Sequence, residues 1–193
     1  SNDTYKGRYI FHDQYREGLS EVFKAMSETL QLAILSGDNE GEKARLEKLL
    51  PKLTPLYFNQ KPEDKMDFIK SLQAQNNKVL MVGDGLNDAG ALAQSNVGIA
   101  ISENVNVFSP ACDGILDASN FKKLYQYIVA SKNAMKIIKL SFVLSLLYNI
   151  FGLYFAVTGQ LQPVIAAILM PLSSISVVAF ATVMTNILGR KLN

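Results

Sequence analysis

The chain has one cysteine, Cys112, and one histidine, His12, among its 193 residues. A lone cysteine cannot close an internal disulfide, which excludes a disulfide-stapled secreted scaffold. Excess charge is also missing. The 19 basic and 17 acidic residues leave a formal net charge of +2, so no long-range field argues for nucleic acid as a partner. With 49% hydrophobic residues and a mean hydropathy of +0.13, the sequence is too apolar to be a disordered tail. Cys112 follows Pro110 in a loop-like stretch and reads as a small buried residue, and His12 reads as a surface or linker residue. The largest absence is local: residues 140–189, 50 in a row, contain no Asp, Glu, Lys, Arg or His. All 17 acidic residues lie before that run, in a stretch of ordinary soluble composition. A soluble unit is therefore joined to a membrane unit.

Leu140 to Thr158 is 19 residues, which as a helix spans roughly 28 Å, close to the ~30 Å hydrocarbon core of a bilayer. The turn formers and amides of Gly159-Gln160-Leu161-Gln162-Pro163 follow, and Val164 to Leu188 is long enough to cross again. This pattern predicts a transmembrane helical hairpin. Lys132, Lys136 and Lys139 precede it, Arg190 and Lys191 follow it, and the turn carries no cation, so both ends are expected on the cytoplasmic side. The alternative, two buried helices of a large soluble core, conflicts with the lack of any charged face. Residues 1–25 have no apolar central region, so no secretory signal is expected and the soluble part is read as cytoplasmic.

The soluble part alternates helices and strands. Leu19, Val22, Phe23 and Met26 follow helical spacing, and residues 30–35 form an apolar run ending at Ser36-Gly37-Asp38. Residues 40–50 read as a helix stopped by Pro51, 56–58 as a strand, and 62–73 as a helix with proline in its first turn. Strands are expected at 79–82, 97–101 and 114–116, with a short helix at 89–94. From about Asn120 the helical pattern runs unbroken into the first membrane segment. Continuous apolar strands alternating with helices imply a parallel sheet covered on both faces.

In open parallel sheets the ligand lies beyond the carboxyl ends of the strands. Three polar groups fall there: Ser36-Gly37-Asp38, Lys65 in the first turn after Lys61-Pro62-Glu63-Asp64, and Gly83-Asp84-Gly85-Leu86-Asn87-Asp88. A hydroxyl with turn amides, an ammonium and a pair of carboxylates together suit a phosphoryl group and a hard cation such as Mg²⁺. Separately, Ser-Gly-Asp is also a common turn and a lone helical Lys is often solvated. Asp84, Asn87 and Asp88 are harder to explain that way, because crowded acids behind an apolar strand repel one another unless a cation compensates them.

In order and spacing, Ser36-Gly37-Asp38, Pro62-Glu63-Asp64-Lys65 and Gly83-Asp84-Gly85-Leu86-Asn87-Asp88-Ala89-Gly90-Ala91-Leu92 resemble the phosphorylation-domain motifs of P-type ATPases. Asp13-Gln14-Tyr15-Arg16 resembles that family's Asp-x-x-Arg hinge, and two closing helices suit its heavy-metal branch. The resemblance implies an α/β fold, a haloacid-dehalogenase-like parallel-sheet phosphorylation domain followed by a two-helix transmembrane hairpin. It implies a hinge over 1–16, part of the phosphorylation domain over 17–119, a linking helix over 120–139 and the hairpin over 140–193. Ser36, Gly37 and Asp38 would face the phosphoryl group and Lys65 would neutralise it. Asp84 would hold Mg²⁺, with Asn87 and Asp88 beside it. In this family ATP phosphorylates an aspartate in an Asp-Lys-Thr-Gly-Thr motif, and no such motif occurs in this sequence. The resemblance is thus to the carboxyl-terminal part of a pump. The partners implied are the remainder of that pump with its nucleotide domain and earlier membrane helices, the lipid bilayer of a bacterial inner membrane, and a copper chaperone.

Copper is the ion that the hairpin favours. Tyr148-Asn149 and Met170-Pro171-Leu172-Ser173-Ser174 offer a phenol, an amide, a thioether and hydroxyls without any carboxylate. A hard divalent ion is usually given a carboxylate, whereas a thioether with neutral oxygens suits Cu(I). The pairs resemble signatures of copper-transporting members, which makes Tyr148, Asn149, Met170 and Ser174 the candidate ligands of the transported ion. Copper exporters carry Asn where this chain has Ser141 and Phe180, and the pattern is closer to pumps that serve respiratory oxidase assembly. Membrane Met and Ser residues also serve plain packing. Three alternatives remain: a P-type ATPase for another metal, a membrane-tethered phosphatase of the same superfold, and a non-catalytic membrane protein that keeps the fold.

Overall fold

The computed structural model describes residues 15–84, 86–103, 111–160, 162–190 and 192. His12, Asp13, Gln14, Gly85 and Lys191 lie outside these. The chain divides into two compact units, residues 1–124 and 125–193.

In the first unit, α1 (Leu19–Ser27) buries Val22 and Met26, which are four apart and so share one helix face. The strand expected over 30–35 shrinks to β1 (Ile34–Leu35), because the backbone N–H groups of Thr29 and Leu30 still bond to the Met26 carbonyl and extend the helix end. Asn39 accepts from Gly41 N at 2.9 Å and caps a 3₁₀ turn, Glu40–Glu42, that opens α2 (Lys43–Leu49). Leu50 is extended because Pro51 follows it. Next come β2 (Leu56–Tyr57), α3 (Pro62–Ala74), β3 (Leu80–Gly83), α4 (Ala89–Gln94), β4 (Val97–Ser102) and β5 (Gly114–Asp117).

All strand pairs are parallel, but they form two sheets rather than the single one expected: β1 with β2, and β3-β4-β5. Among the described residues β1 and β3 are each paired along one edge only. The packing of α3 and α4 centres on Ile69 and Leu92, each 1% exposed. Burial of a side chain of this size contributes about 2 kcal/mol. Gly98 lets α4 lie against β4, since a Cβ there would come within 2.5 Å of the Leu92 carbonyl oxygen.

The α3–α4 interface also ties down the start of β3. Gln73 Nε2 donates to the Gln94 carbonyl at 2.9 Å, and Gln94 Nε2 donates back to Gln73 Oε1 at 2.8 Å. Asn96 Oδ1 accepts from Gln73 Nε2 and from the Val79 backbone N–H.

The linking helix opens in 3₁₀ geometry. Asp117 accepts from Ser119 N at 2.8 Å and caps a 3₁₀ stretch, Ala118–Lys123, before α5 (Leu124–Val157) begins.

The second unit holds α5, 34 residues long, and α6 (Pro163–Arg190), 28 residues long. Both are long and apolar enough to cross a membrane. Their less exposed positions recur at helical spacing, with Ser141, Leu144, Tyr148, Gly152 and Phe155 on α5 and Leu169, Ser173, Ser176, Phe180 and Met184 on α6. Tyr148 Oη and Ser176 Oγ, 3.0 Å apart, join the two stripes. Pro171 sits inside α6, as membrane helices tolerate.

Candidate active site

The carboxyl end of β1 passes directly into Ser36-Gly37-Asp38. Ser36 Oγ donates to Asp38 Oδ2 at 3.0 Å and accepts from the Asp38 backbone N–H at 3.1 Å, closing a tight hydroxyl-centred turn. The loop after β2 clasps it from the side. Gln60 N donates to the Ser36 carbonyl at 2.9 Å, and Asn59 N to the Asp38 carbonyl at 2.8 Å. Asn59 adopts φ 55° to do so, a conformation that asparagine tolerates. This clasp has no obvious sequence signal, because it depends on which strand lies beside β1.

Lys65 lies in the second turn of α3, whose start is fixed by Asp64 accepting from the Lys61 backbone N–H at 2.9 Å. Lys65 is not solvated: it is 8% exposed, and its Nζ lies 2.7 Å from Asp88 Oδ1. Asp88, 9% exposed, stands at the head of α4. The cation needed to compensate the crowded acids is thus supplied, for Asp88, by the protein itself. Glycine at residue 83 makes room for Asp88, since a Cβ there would clash with Asp88 Oδ2. The remaining acid of that loop, Asp84, follows β3 directly, is exposed and has no ion pair or hydrogen bond among the described residues. Asn87 is exposed as well.

The structure therefore joins Lys65 to Asp88 and Ser36 to Asp38, and among the described residues no hydrogen bond or ion pair links the two clusters. No group of three or more His, Cys, Asp or Glu residues gathers into a metal site among the described residues. An exposed carboxylate at a strand end still fits Mg²⁺, which usually takes one or two carboxylates and completes its shell with water and phosphate oxygens.

Of the four hairpin candidates, Tyr148 lies on the less exposed stripe and Asn149, Met170 and Ser174 are exposed, Met170 at 74%. Ser174 Oγ reaches back to the Met170 carbonyl at 3.5 Å. Tyr148 is bonded to Ser176, which no sequence motif singles out. Of the hinge motif, Tyr15 Oη donates to Glu42 at 3.3 Å, and Arg16 lies 3.9 Å from Glu103. Cys112 is partly buried.

A haloacid dehalogenase-like hydrolase family matches residues 2–96. A copper-exporting P-type ATPase of Staphylococcus saprophyticus is 33% identical over 181 residues, which is 93% of this chain and 23% of that protein. The chain thus resembles a segment of the copper-transporting P-type ATPases. It spans about a quarter of the length of that protein and of similar bacterial relatives. The solved catalytic domain of a CPx-ATPase is 38% identical with a TM-score of 0.51, covering 58% of this chain and 45% of that one. A zinc-transporting PIB-type ATPase in its E2.Pi state is similar in fold, with 22% identity and a TM-score of 0.79 over 90% of this chain and 28% of that one. The haloacid-dehalogenase-like domain with parallel sheets and the two long apolar helices after it are thus the fold of a P-type ATPase segment.

Proposed function

We propose that the chain is the phosphorylation-domain and closing-hairpin portion of an ATP-driven pump that exports Cu(I) from the cytoplasm through an aspartyl-phosphate cycle. In this reading 17–119 belong to the phosphorylation domain, 1–16 form the hinge, 120–139 link to the membrane and 140–193 form the hairpin. The observation that carries it is the buried Lys65–Asp88 pair beside an exposed Asp84 at the end of β3. A solvated turn has no use for a desolvated ion pair, whereas a phosphoryl-transfer site needs fixed charges already in place.

Each residue then has a role. The Ser36 hydroxyl and the Ser36–Asp38 backbone bind phosphoryl oxygens. Lys65, held by Asp88, presents fixed positive charge to them. Asp84, with Asn87 beside it, holds Mg²⁺, which would screen the charge on the transferring group. Asp88 acts through Lys65 and, in this arrangement, is a poorer metal ligand than Asp84. The nucleophilic aspartate and the ATP-binding domain belong to the rest of the pump. The aspartate attacks the γ-phosphoryl group, ADP leaves, and water later cleaves the acyl phosphate to release inorganic phosphate.

For the ion, Met170, Tyr148, Asn149 and Ser174 remain the proposed ligands. Because Met170 and Ser174 are exposed, the site would be completed by other membrane helices of the pump. The decisive experiment uses the full-length protein in proteoliposomes and measures ATP hydrolysis and vesicle uptake with Cu(I), Zn²⁺ and Co²⁺. Cu(I)-selective stimulation with matching uptake supports the reading, and selective stimulation by Zn²⁺ would replace copper with the metal of the solved fold relative.

A further inference from the structure

No acidic residue follows Asp117, yet basic residues cluster against both ends of the hairpin. Lys132, Lys136 and Lys139 occupy positions i, i+4 and i+7 of the uninterrupted helix α5, so they share one face. All three are exposed, and none has a salt bridge among the described residues. Lys139 directly precedes Leu140, where the uncharged run begins, and Lys132 is about 10 Å further out along the axis.

At 34 residues, α5 is about 51 Å long, which exceeds the ~30 Å hydrocarbon core and projects through the headgroup layer. The lysine segment is also not an ordinary solvated face. Met135 and Ile138 lie among the lysines and are 54% and 47% exposed. Apolar side chains interleaved with unpaired lysines at the end of a membrane span match the boundary between acyl chains and phosphates. Arg190, exposed at the end of α6, returns to the same side by the hairpin connection.

We infer that Lys132, Lys136 and Lys139, with Arg190, form a binding site for the headgroups of anionic phospholipids in the leaflet next to the soluble unit. The ligand chemistry is a lipid phosphate diester whose acyl chains lie against the apolar start of α5. The lysine stems run along that surface while the ammonium groups meet the phosphates.

The test uses the full-length protein in bilayers of phosphatidylcholine with a minor fraction of spin-labelled phosphatidylglycerol or spin-labelled phosphatidylcholine. It reads the ratio of their association constants with the protein surface. Wild type is expected to prefer phosphatidylglycerol, and raising salt should weaken that preference. Each lysine meeting a headgroup accounts for about fivefold, so the Lys132→Gln, Lys136→Gln, Lys139→Gln triple variant should lose most of it. The corresponding Lys→Arg triple should retain it. Lys48→Gln with Lys70→Gln, on the soluble unit, should leave it unchanged. A wild-type preference in the Gln triple, or an equal loss in the soluble-unit control, would overturn the site. Abolition of the wild-type preference by inorganic phosphate at constant ionic strength would assign it to free anions instead. The measurement reads lipid only, so its failure would leave the copper reading standing, and a different transported ion would leave the lipid site standing.

Discussion

Lys65 Nζ and Asp88 Oδ1 meet at 2.7 Å across the α3–α4 interface, with both side chains about nine-tenths buried. Removing either partner strands a buried charge, which typically costs ~3–5 kcal/mol, whereas removing both leaves no such charge. Lys65→Ala and Asp88→Ala should therefore each lower the thermal midpoint of the soluble unit within the full-length protein, and the double variant should lose less than the sum. Additive losses across this cycle would mean that the pair is not coupled. Lys65→Ala should also slow phosphoenzyme formation while changing nucleotide affinity little.

Gly83→Ala should act on the same pair from a distance. Its new methyl group would clash with Asp88 Oδ2 and push that carboxylate from Lys65. Phosphoenzyme yield from radiolabelled ATP is expected to fall as far as in Asp88→Ala. An unchanged yield would show that Asp88 can relocate without consequence.

Asp84→Asn should separate chemistry from stability. The side chain is exposed, so the folded state should change by no more than about 0.5 kcal/mol. Mg²⁺-dependent phosphorylation should nevertheless be abolished, because the substitution removes a ligand charge while keeping the shape. Normal phosphoenzyme at limiting Mg²⁺ would falsify the assignment.

Met170→Leu keeps volume and apolarity and removes only the sulfur. With Met170 74% exposed, packing predicts a cost below ~1.5 kcal/mol and near-normal activity. Ligation predicts a steep loss of Cu(I)-stimulated hydrolysis and of bound Cu(I), with phosphorylation from inorganic phosphate preserved. Wild-type copper stoichiometry in the variant would return Met170 to packing.

Asp117 gives a pH-dependent test outside the site. The Ser119 hydroxyl and backbone N–H both donate to its carboxylate and hold it below the ordinary carboxylate range. A lowered folded-state value stabilises above the unfolded value and is lost as pH falls through the folded one. Wild type should therefore lose the cap's contribution on acidification. Asp117→Ala should be less stable than wild type near neutrality and should converge with it in acid. A constant difference at all pH values would show that the cap acts without its charge.

Much of this architecture was legible in the sequence because it depends on local periodicity. The helices at 62–74 and 89–94 and the strands at 80–83 and 97–102 follow from apolar runs punctuated by Pro, Gly and Asn. The charge-free run announces the two long helices for the same reason. Strand pairing was not legible, because a parallel strand carries no mark of its neighbour, and the separation into two sheets followed only from which edges bond. The candidate site divides in the same way. Ser36, Lys65, Asp84 and Asp88 stand out as residue types at strand ends and a helix start. That Lys65 faces Asp88, 23 residues away, depends on how α3 lies against α4. Ser176 is a similar case, since its contact with Tyr148 crosses the hairpin over 28 residues.

The strand β3 is gripped twice by the same helix pair: near its start through Gln73, Asn96 and the Val79 N–H, and beyond its end through Lys65 and Asp88. Between those grips Ile69 and Leu92 fill the space without slack. A shift of Asp88 would therefore be felt at Lys65 and, along α3, at Gln73, where the same helix pair holds the other end of the strand.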